Sequence, residues 1–521
     1  MLKKLLPFVF VILFHLTKAQ NEFITIWEPG ITTTPVMNVV APSQANSNQI
    51  WFPGIGQNYT IFWEEVGYPQ HNGTMTNVTS TGQVLIDFGT PSEGNSLGTQ
   101  YRVKVSNGNG VFHQIKFATY QTNGSSDVQV PILQMHGSAD KLLEIQQWGN
   151  IAWSSMQGAF ANCQRMQLTA TDAPNLSNVT NASMMFYLTN NFSGAPSMQN
   201  WDTSNIEDFS FMFDSRHVGI TYYINPATTF NPPGLSYWDV SSATDLSYMF
   251  AGKGALNQNL SSWNVENVKN MGWMFAFCSA FNQPLNSWNT QKLEKTHYMF
   301  FMTDDFNQPL NNWDVSKVIN MNNMFSFAES FNLPLDSWNV GNLIKMNHIF
   351  DNATSFNQSL ANWNLASLTT AIGALKGAAL DCNNYSKTLA GWADNPNTPN
   401  NISLMSVVPA QYASNVTNKR DILINKGWSI IGDTVGNCFL TTSELHPTKK
   451  GSIYPNPASD YIHIENIINA KNYTITDMAG RLIKQGDIKA EMINISTLPK
   501  GNYILKIAVK DKTQSFKFIK K

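Results

Sequence analysis

Few side chains in this 521-residue sequence are placed to do chemistry, and they are dispersed. Its nine histidines fall into no metal-binding spacing, and its four cysteines form no Cys-x-x-Cys pair. Neither a His-Glu-x-x-His zinc motif nor a phosphate-cradling Gly-x-x-x-x-Gly-Lys-Ser/Thr loop occurs. Two adjacent carboxylate pairs exist, Glu64-Glu65 and Asp304-Asp305. Sequence neighbours point different ways, so solvated surface is the expectation for both. The reading is therefore a non-enzyme without a cofactor. Composition points the same way about partners. Charged residues make up 13% of the chain, about half the usual share, and the net charge is −2. From Lys449 onward 13 Lys/Arg face 6 Asp/Glu, so residues 1–448 carry −9 and offer no large basic surface to nucleic acid.

The residues that do recur are aromatic. Trp201, Trp238, Trp263, Trp288, Trp313, Trp338 and Trp363 are spaced by 25 after a first interval of 37, which places a 12-residue insertion near Tyr222-Tyr223. The unit at Trp313 carries Val315, Val318, Met321, Met324, Phe325, Ala328, Phe331 and Leu335, and the unit at Trp263 repeats the register. A period of this length means stacked units that bury an apolar face only against one another. The expected fold is a β-rich, leucine-rich-repeat-like solenoid with a short strand plus a helical turn per 25-residue coil. N-terminal and C-terminal small antiparallel β-sandwich domains are expected to flank it.

Polar residues keep the frame too. Asp202, Asp239, Asn264, Asn289, Asp314, Asn339 and Asn364 each follow the Trp. Such a ladder offers oxygen ligands to calcium, but its mixture of Asp and Asn at one residue per coil favours turn hydrogen bonds, and no metal site is expected. Ten residues after the Trp lie Phe211, Tyr248, Trp273 and Tyr298, an aromatic row that is either a candidate binding stripe or lateral packing. Cys163 and Cys278 share one small core slot about four coils apart, too far for a bond, and are expected as buried thiols.

The N-terminus gives the compartment. Lys3 and Lys4, the apolar run Leu5 to Leu16 and Ala19 read as a signal peptide over 1–19, too short for a transmembrane span. In an oxidising compartment Cys382 and Cys438, which bracket residues 380–440, are expected to bond. The domain reading continues with an N-terminal β domain at 20–140, the repeat at 141–379, a cap at 380–440, a linker at 441–451 and a C-terminal domain at 452–521.

Two resemblances follow from these residues. Units such as Phe306-Asn-Gln-Pro-Leu-Asn-Asn-Trp-Asp-Val, with the entry at Trp148 and the exit Lys426-Gly-Trp-Ser-Ile-Ile-Gly-Asp, resemble BspA-like leucine-rich-repeat surface proteins over roughly 145–440. The likeness implies an exported protein with an adhesin-like role toward a host, cell or matrix partner; an accessory glycan-binding protein or a surface-layer spacer are the alternatives. Tyr454-Pro-Asn-Pro, Asp477-Met-Ala-Gly480 and Leu498-Pro-Lys-Gly-Asn-Tyr503 resemble the C-terminal sorting domain of the type IX secretion system. That likeness implies the type IX machinery as a partner and the exterior of a Gram-negative bacterium as the destination. Loss of both ends leaves a mature chain of about −12.

Overall fold

A computed structural model of the protein describes residues 21–31, 45–122, 127, 131–216, 229–441 and most of 452–521. The expected signal peptide, the insertion around Tyr222-Tyr223 and nearly all of the expected linker lie outside the described residues. The chain divides into two compact units, Met1–Phe439 and Leu440–Lys521.

The first unit opens with a seven-stranded sheet. Its strands are β1 (Phe23–Trp27), β3 (Gly54–Glu65), β4 (Tyr68–Ser80), β6 (Tyr101–Ser106), β7 (Val111–Ile115), β10 (Leu142–Gln147) and β11 (Gln167–Leu168). The order is β11-β10-β1-β6-β3-β4, with β7 also on β3; β2 (Gln49–Phe52) pairs separately with β5 (Val84–Asp87), and β8 (Ala118–Thr122) with β9 (Pro131–Met135). Period-2 alternation sets the faces: Tyr101, Val103 and Val105 of β6 are fully buried while the residues between them are partly exposed. Because β11 pairs in parallel with β10 at Glu144↔Gln167 and Ile145↔Leu168, this sheet runs on into the first repeats. It is not a self-contained sandwich.

The repeat corrects the expected fold most. Between residues 169 and 381 the described chain contains no strand and no α-helix, only the 3-10 turns Pro196–Asn200 and Pro233–Tyr237. No solenoid of short strands and helical turns forms, and the sheets at either end are open and separate. The cause is backbone handedness. Residues ten after each Trp are left-handed, at φ 57° for Phe211, 61° for Tyr248, 63° for Trp273 and 57° for Tyr298; Phe277, Met302, Phe327 and Asn352, four further on, also have positive φ. From Tyr248 on, two left-handed residues four apart in each unit break a helix and a strand alike.

The backbone groups are satisfied between units instead. Tyr248 N–H donates to Gly272 O at 2.9 Å, Trp273 to His297 at 2.9 Å and Tyr298 to Asn322 at 2.8 Å; two residues on, Phe250 donates to Met274 and Phe275 to Met299. Within a unit the intervening N–H groups turn back, as Met274 to Met271 and Ala276 to Trp273. Single parallel bridges mark each junction, from Asn181↔Asp208 and Asp208↔Asp245 to Lys345↔Thr370. The 12-residue insertion does not interrupt them.

Side chains repeat the same logic. Phe213, Phe250, Phe275, Phe300, Phe325 and Phe350 form one column with ring centroids 5.5 to 6.0 Å apart. From Trp263 on, the Trp indole reaches back to the previous unit: Trp263 Nε1 donates to Leu235 O, Trp288 to Leu260, Trp313 to Leu285, Trp338 to Leu310 and Trp363 to Leu335, all at 2.8 to 3.0 Å. Asparagines make a third ladder, Asn307 N–H to Asn282 Oδ1 and Asn332 N–H to Asn307 Oδ1, both 3.0 Å. The stack ends on two helices, Cys382–Asp394 and Thr417–Asn425. The first presents Trp392 to Leu360 O in place of the next repeat Trp. Leu404 O and Val408 O accept from Gly373 N–H and Gly377 N–H, both left-handed glycines at the two positive-φ offsets.

The second unit has two separate antiparallel sheets. One holds Ser452–Tyr454, Tyr461–Glu465 and Met492–Asn494; the other holds Asn472–Asp477, Leu482–Asp487, Gly501–Val509 and Lys512–Lys520. Ile462, Ile475, Ile493, Leu505, Ile507 and Phe518 supply its core.

Candidate functional site

The aromatic row forms, but inside the molecule. Phe211, Tyr248 and Trp273 are each 1% exposed, and only Tyr298 is half-buried. Ring centroids lie 4.2 Å apart for Phe211–Tyr248, 5.5 Å for Tyr248–Trp273 and 4.1 Å for Trp273–Tyr298. The Arg216 guanidinium sits over both Tyr248, at 4.5 Å, and Trp273, at 4.6 Å, and is itself held by two bonds to the buried Asp214 carboxylate at 2.9 and 2.6 Å. The Trp273 indole N–H donates to the backbone carbonyl of Asp127, between β8 and β9. Three of the four rings are packing.

From Asp202 to Asn339 the Asp/Asn positions after the Trp turn back on their own backbone. Asp239 Oδ1 accepts from Ser241 N–H at 2.9 Å, Asp314 from Ser316 at 2.9 Å and Asn339 from Gly341 at 3.2 Å. Among the described residues no three His, Cys, Asp or Glu side chains cluster as for a metal ion. Cys163 and Cys278 are free and buried, and burial pushes both thiols up. Cys382 and Cys438 are bonded, with Cα atoms 6.0 Å apart.

The N-terminal sheet corrects one expectation. Glu64 and Glu65 do point to opposite sides of β3, yet neither is solvated surface. Glu64 pairs with Arg102 at 2.9 Å and Lys104 at 3.1 Å. Glu65, 3% exposed, accepts from the His71 ring at 2.5 Å and from Ser92 N–H and Oγ. Both ring and hydroxyl are spent on the carboxylate, so no hydroxyl–imidazole pair results. The one Gly-x-Ser-x-Gly spacing, Gly94 to Gly98, lies in irregular turns with no following helix and so lacks the strand–turn–helix setting of a nucleophile elbow.

Two features escaped sequence reading although the frame marked them. Lys253 occupies the slot that holds Cys278, Thr303, Ala328 and Ala353 in later units; it is fully buried and its Nζ has no hydrogen-bond partner. Burial lowers its pKa to about 8, against the pull of Asp214. Below about pH 8 it is charged in both folded and unfolded chains and the burial cost is complete. The cost falls as pH rises from about 8 toward the unfolded value near 10.4. Lys253→Met is therefore expected to raise the melting temperature by a few degrees at pH 7, a gain of about 3 kcal/mol at most, and by less at pH 10. Calorimetry at the two pH values checks it; an unchanged or lower melting point at pH 7 rejects the assignment.

The second feature is outward. Six residues after the Trp, the units hold Glu207, Thr244, Lys269, Glu294 and Thr369, but Ile319 and Ile344 in two adjacent units. These isoleucines are 42% and 37% exposed, and with Glu294, Lys317, Asn342 and Ser367 they line a shallow groove of about 460 Å³.

Comparison with known proteins finds two family matches along the chain. Residues 154–219, 218–309 and 285–389 match the family model described as "Mycoplasma protein of unknown function, DUF285". Residues 452–521 match the "Secretion system C-terminal sorting domain", which makes this an exported protein and the secretion system its partner. No curated protein matches the chain. Among the described residues no helix is long and apolar enough to cross a membrane.

Proposed function

We propose that this is a non-enzymatic, adhesin-like protein that the type IX route delivers to the surface or surroundings of a Gram-negative bacterium. There it engages a host, cell or matrix protein through the outer flank of its repeat stack. The signal-peptide pattern at 1–19 and the sorting-domain match at 452–521 support the route. The observation that carries the binding reading is the Ile319–Ile344 groove. The frame residues are consumed by stacking, and at an offset where other units are polar these two expose apolar surface between Lys317 and Glu294.

The glycan-binding alternative draws on the aromatic row and the N-terminal β domain, and the burial of Phe211, Tyr248 and Trp273 withdraws three stacking faces from it. Surface plasmon resonance of the full chain against immobilised matrix proteins, run beside a glycan array, tests the choice. Saturable protein binding is expected. Glycan binding alone would replace this reading with the accessory glycan-binding one, and silence in both would leave a surface-layer spacer.

A further inference from the structure

The geometry assigns a carboxylate-binding site to the flank of the stack, built by Trp273, His297, Asn320, Asn322 and Lys345 and filled in this chain by its own Asp127; we infer that its external ligand is an acidic side chain on an extended peptide. The inference rests on the binding role proposed above and adds the ligand's chemistry. Asn320 Nδ2 donates to Asp127 Oδ1 at 2.9 Å and Asn322 Nδ2 to Oδ2 at 2.6 Å, so the two oxygens are split between two amides from one unit. Trp273 Nε1 takes the Asp127 backbone carbonyl at 3.0 Å, and Lys345 Nζ lies 3.7 Å from Oδ1. Side chain and main chain are thus both read, as a receptor for a peptide would read them.

Three observations separate this from an incidental contact. The donors come from three different repeat units, so the inter-unit ladders hold them in place without Asp127. With Asp127 in place Asn320 is 9% and Asn322 6% exposed, while the Asp127 side chain keeps 30%, so the amides are covered and their occupant is reachable. His297, 7% exposed and within electrostatic reach of Asp127, has a ring nitrogen without a partner; burial lowers its pKa to about 4, leaving a neutral ring and Lys345 as the ammonium nearest the carboxylate.

The site is also placed by charge. Seven residues after the Trp, the earlier units carry Asp208 and Asp245, which would repel an acid, and Asn270, whose amide donates to Asp245 Oδ2 at 3.0 Å, whereas the later units carry Lys295, Asn320 and Lys345. Nine residues after it, Ser210, Ser247 and Gly272 give way to His297 and Asn322. At this level of the stack both amides, Asn320 and Asn322, are turned to one carboxylate.

The test uses the full chain with Asp127→Ala and two labelled peptides copying residues 119–134, one natural and one with Asp127→Asn, read by fluorescence anisotropy. The Ala variant is expected to bind the natural peptide at least tenfold more tightly than the Asn peptide, and more tightly than the wild-type chain does. Adding Asn320→Ala and Asn322→Ala should erase that preference. Equal affinity for both peptides, no binding, or a preference that survives the double replacement would overturn the proposal. If the Ala variant melts early, Asp127→Asn keeps the fold packing and serves in its place. The probe is the protein's own sequence, so failure here leaves the matrix-protein result standing, and the reverse holds too.

Discussion

Trp313→Ala is expected to destabilise the stack by about 3–5 kcal/mol, the loss typical of a fully packed Trp truncated in a core. Trp313 is 3% exposed and lies 6.0 Å from the Trp288 ring, 8° from parallel. Its loss leaves a cavity that neither neighbouring unit can fill, because each is fixed by its own ladder. The indole N–H bond to Leu285 O is a separable part of that effect. Trp313→Phe keeps a ring but leaves the Leu285 carbonyl with the Trp288 N–H alone, and should cost about 0.5–1.5 kcal/mol for the lost bond. Urea unfolding followed by tryptophan fluorescence measures both. A Phe variant as stable as the wild type would show that the indole bond adds nothing to stacking. Since a repeat array transmits damage only through neighbours, the loss should be similar at Trp288 and smaller near the ends.

Replacing Cys382 and Cys438 together by Ser is the second large effect, about 4 kcal/mol in the loop-entropy account for a crosslink spanning 56 residues. The cost falls on the cap. Asp381 N–H and Asn384 Nδ2 bond Asn357 Oδ1, the last rung of the asparagine ladder, and Trp392 closes the indole ladder. With the crosslink gone the final turns lose their cover first. Limited proteolysis should then cut within 380–440 before it cuts the repeats, and reductant should do the same to the wild type. Equal protease resistance with and without the bond would mean that helix packing alone holds the cap.

How much of this the sequence discloses depends on the kind of contact. The Trp register is legible because stacking sets the same residue type at the same level in each unit, and column partners such as Phe275, Phe300 and Phe325 show it directly. The local backbone is not legible from the apolar pattern. Met271, Met274 and Phe275 stand at spacings a helix shares, while the left-handed residues between and after them are Trp273 and Phe277, types that rarely adopt that conformation. The signal was present elsewhere in the frame: the same offsets hold Asn323, Asn352, Gly373 and Gly377, residues that favour positive φ. Lys253 was likewise readable as a charged residue in a slot otherwise small. The Asp127 site was not, because its donors lie 146 to 195 residues away in sequence.

The claim that frame residues build the scaffold while off-frame residues recognise the partner is tested most directly by separating stability from binding. Three full-length proteins are compared in the matrix-protein resonance assay: wild type, Trp313→Phe, and Ile319→Asn with Ile344→Asn. The Trp variant should melt earlier yet bind with unchanged affinity, and the double Asn variant should keep its melting temperature and lose at least tenfold in affinity. Undiminished binding by the double Asn variant, or loss of binding by a folded Trp313→Phe protein, would contradict the account.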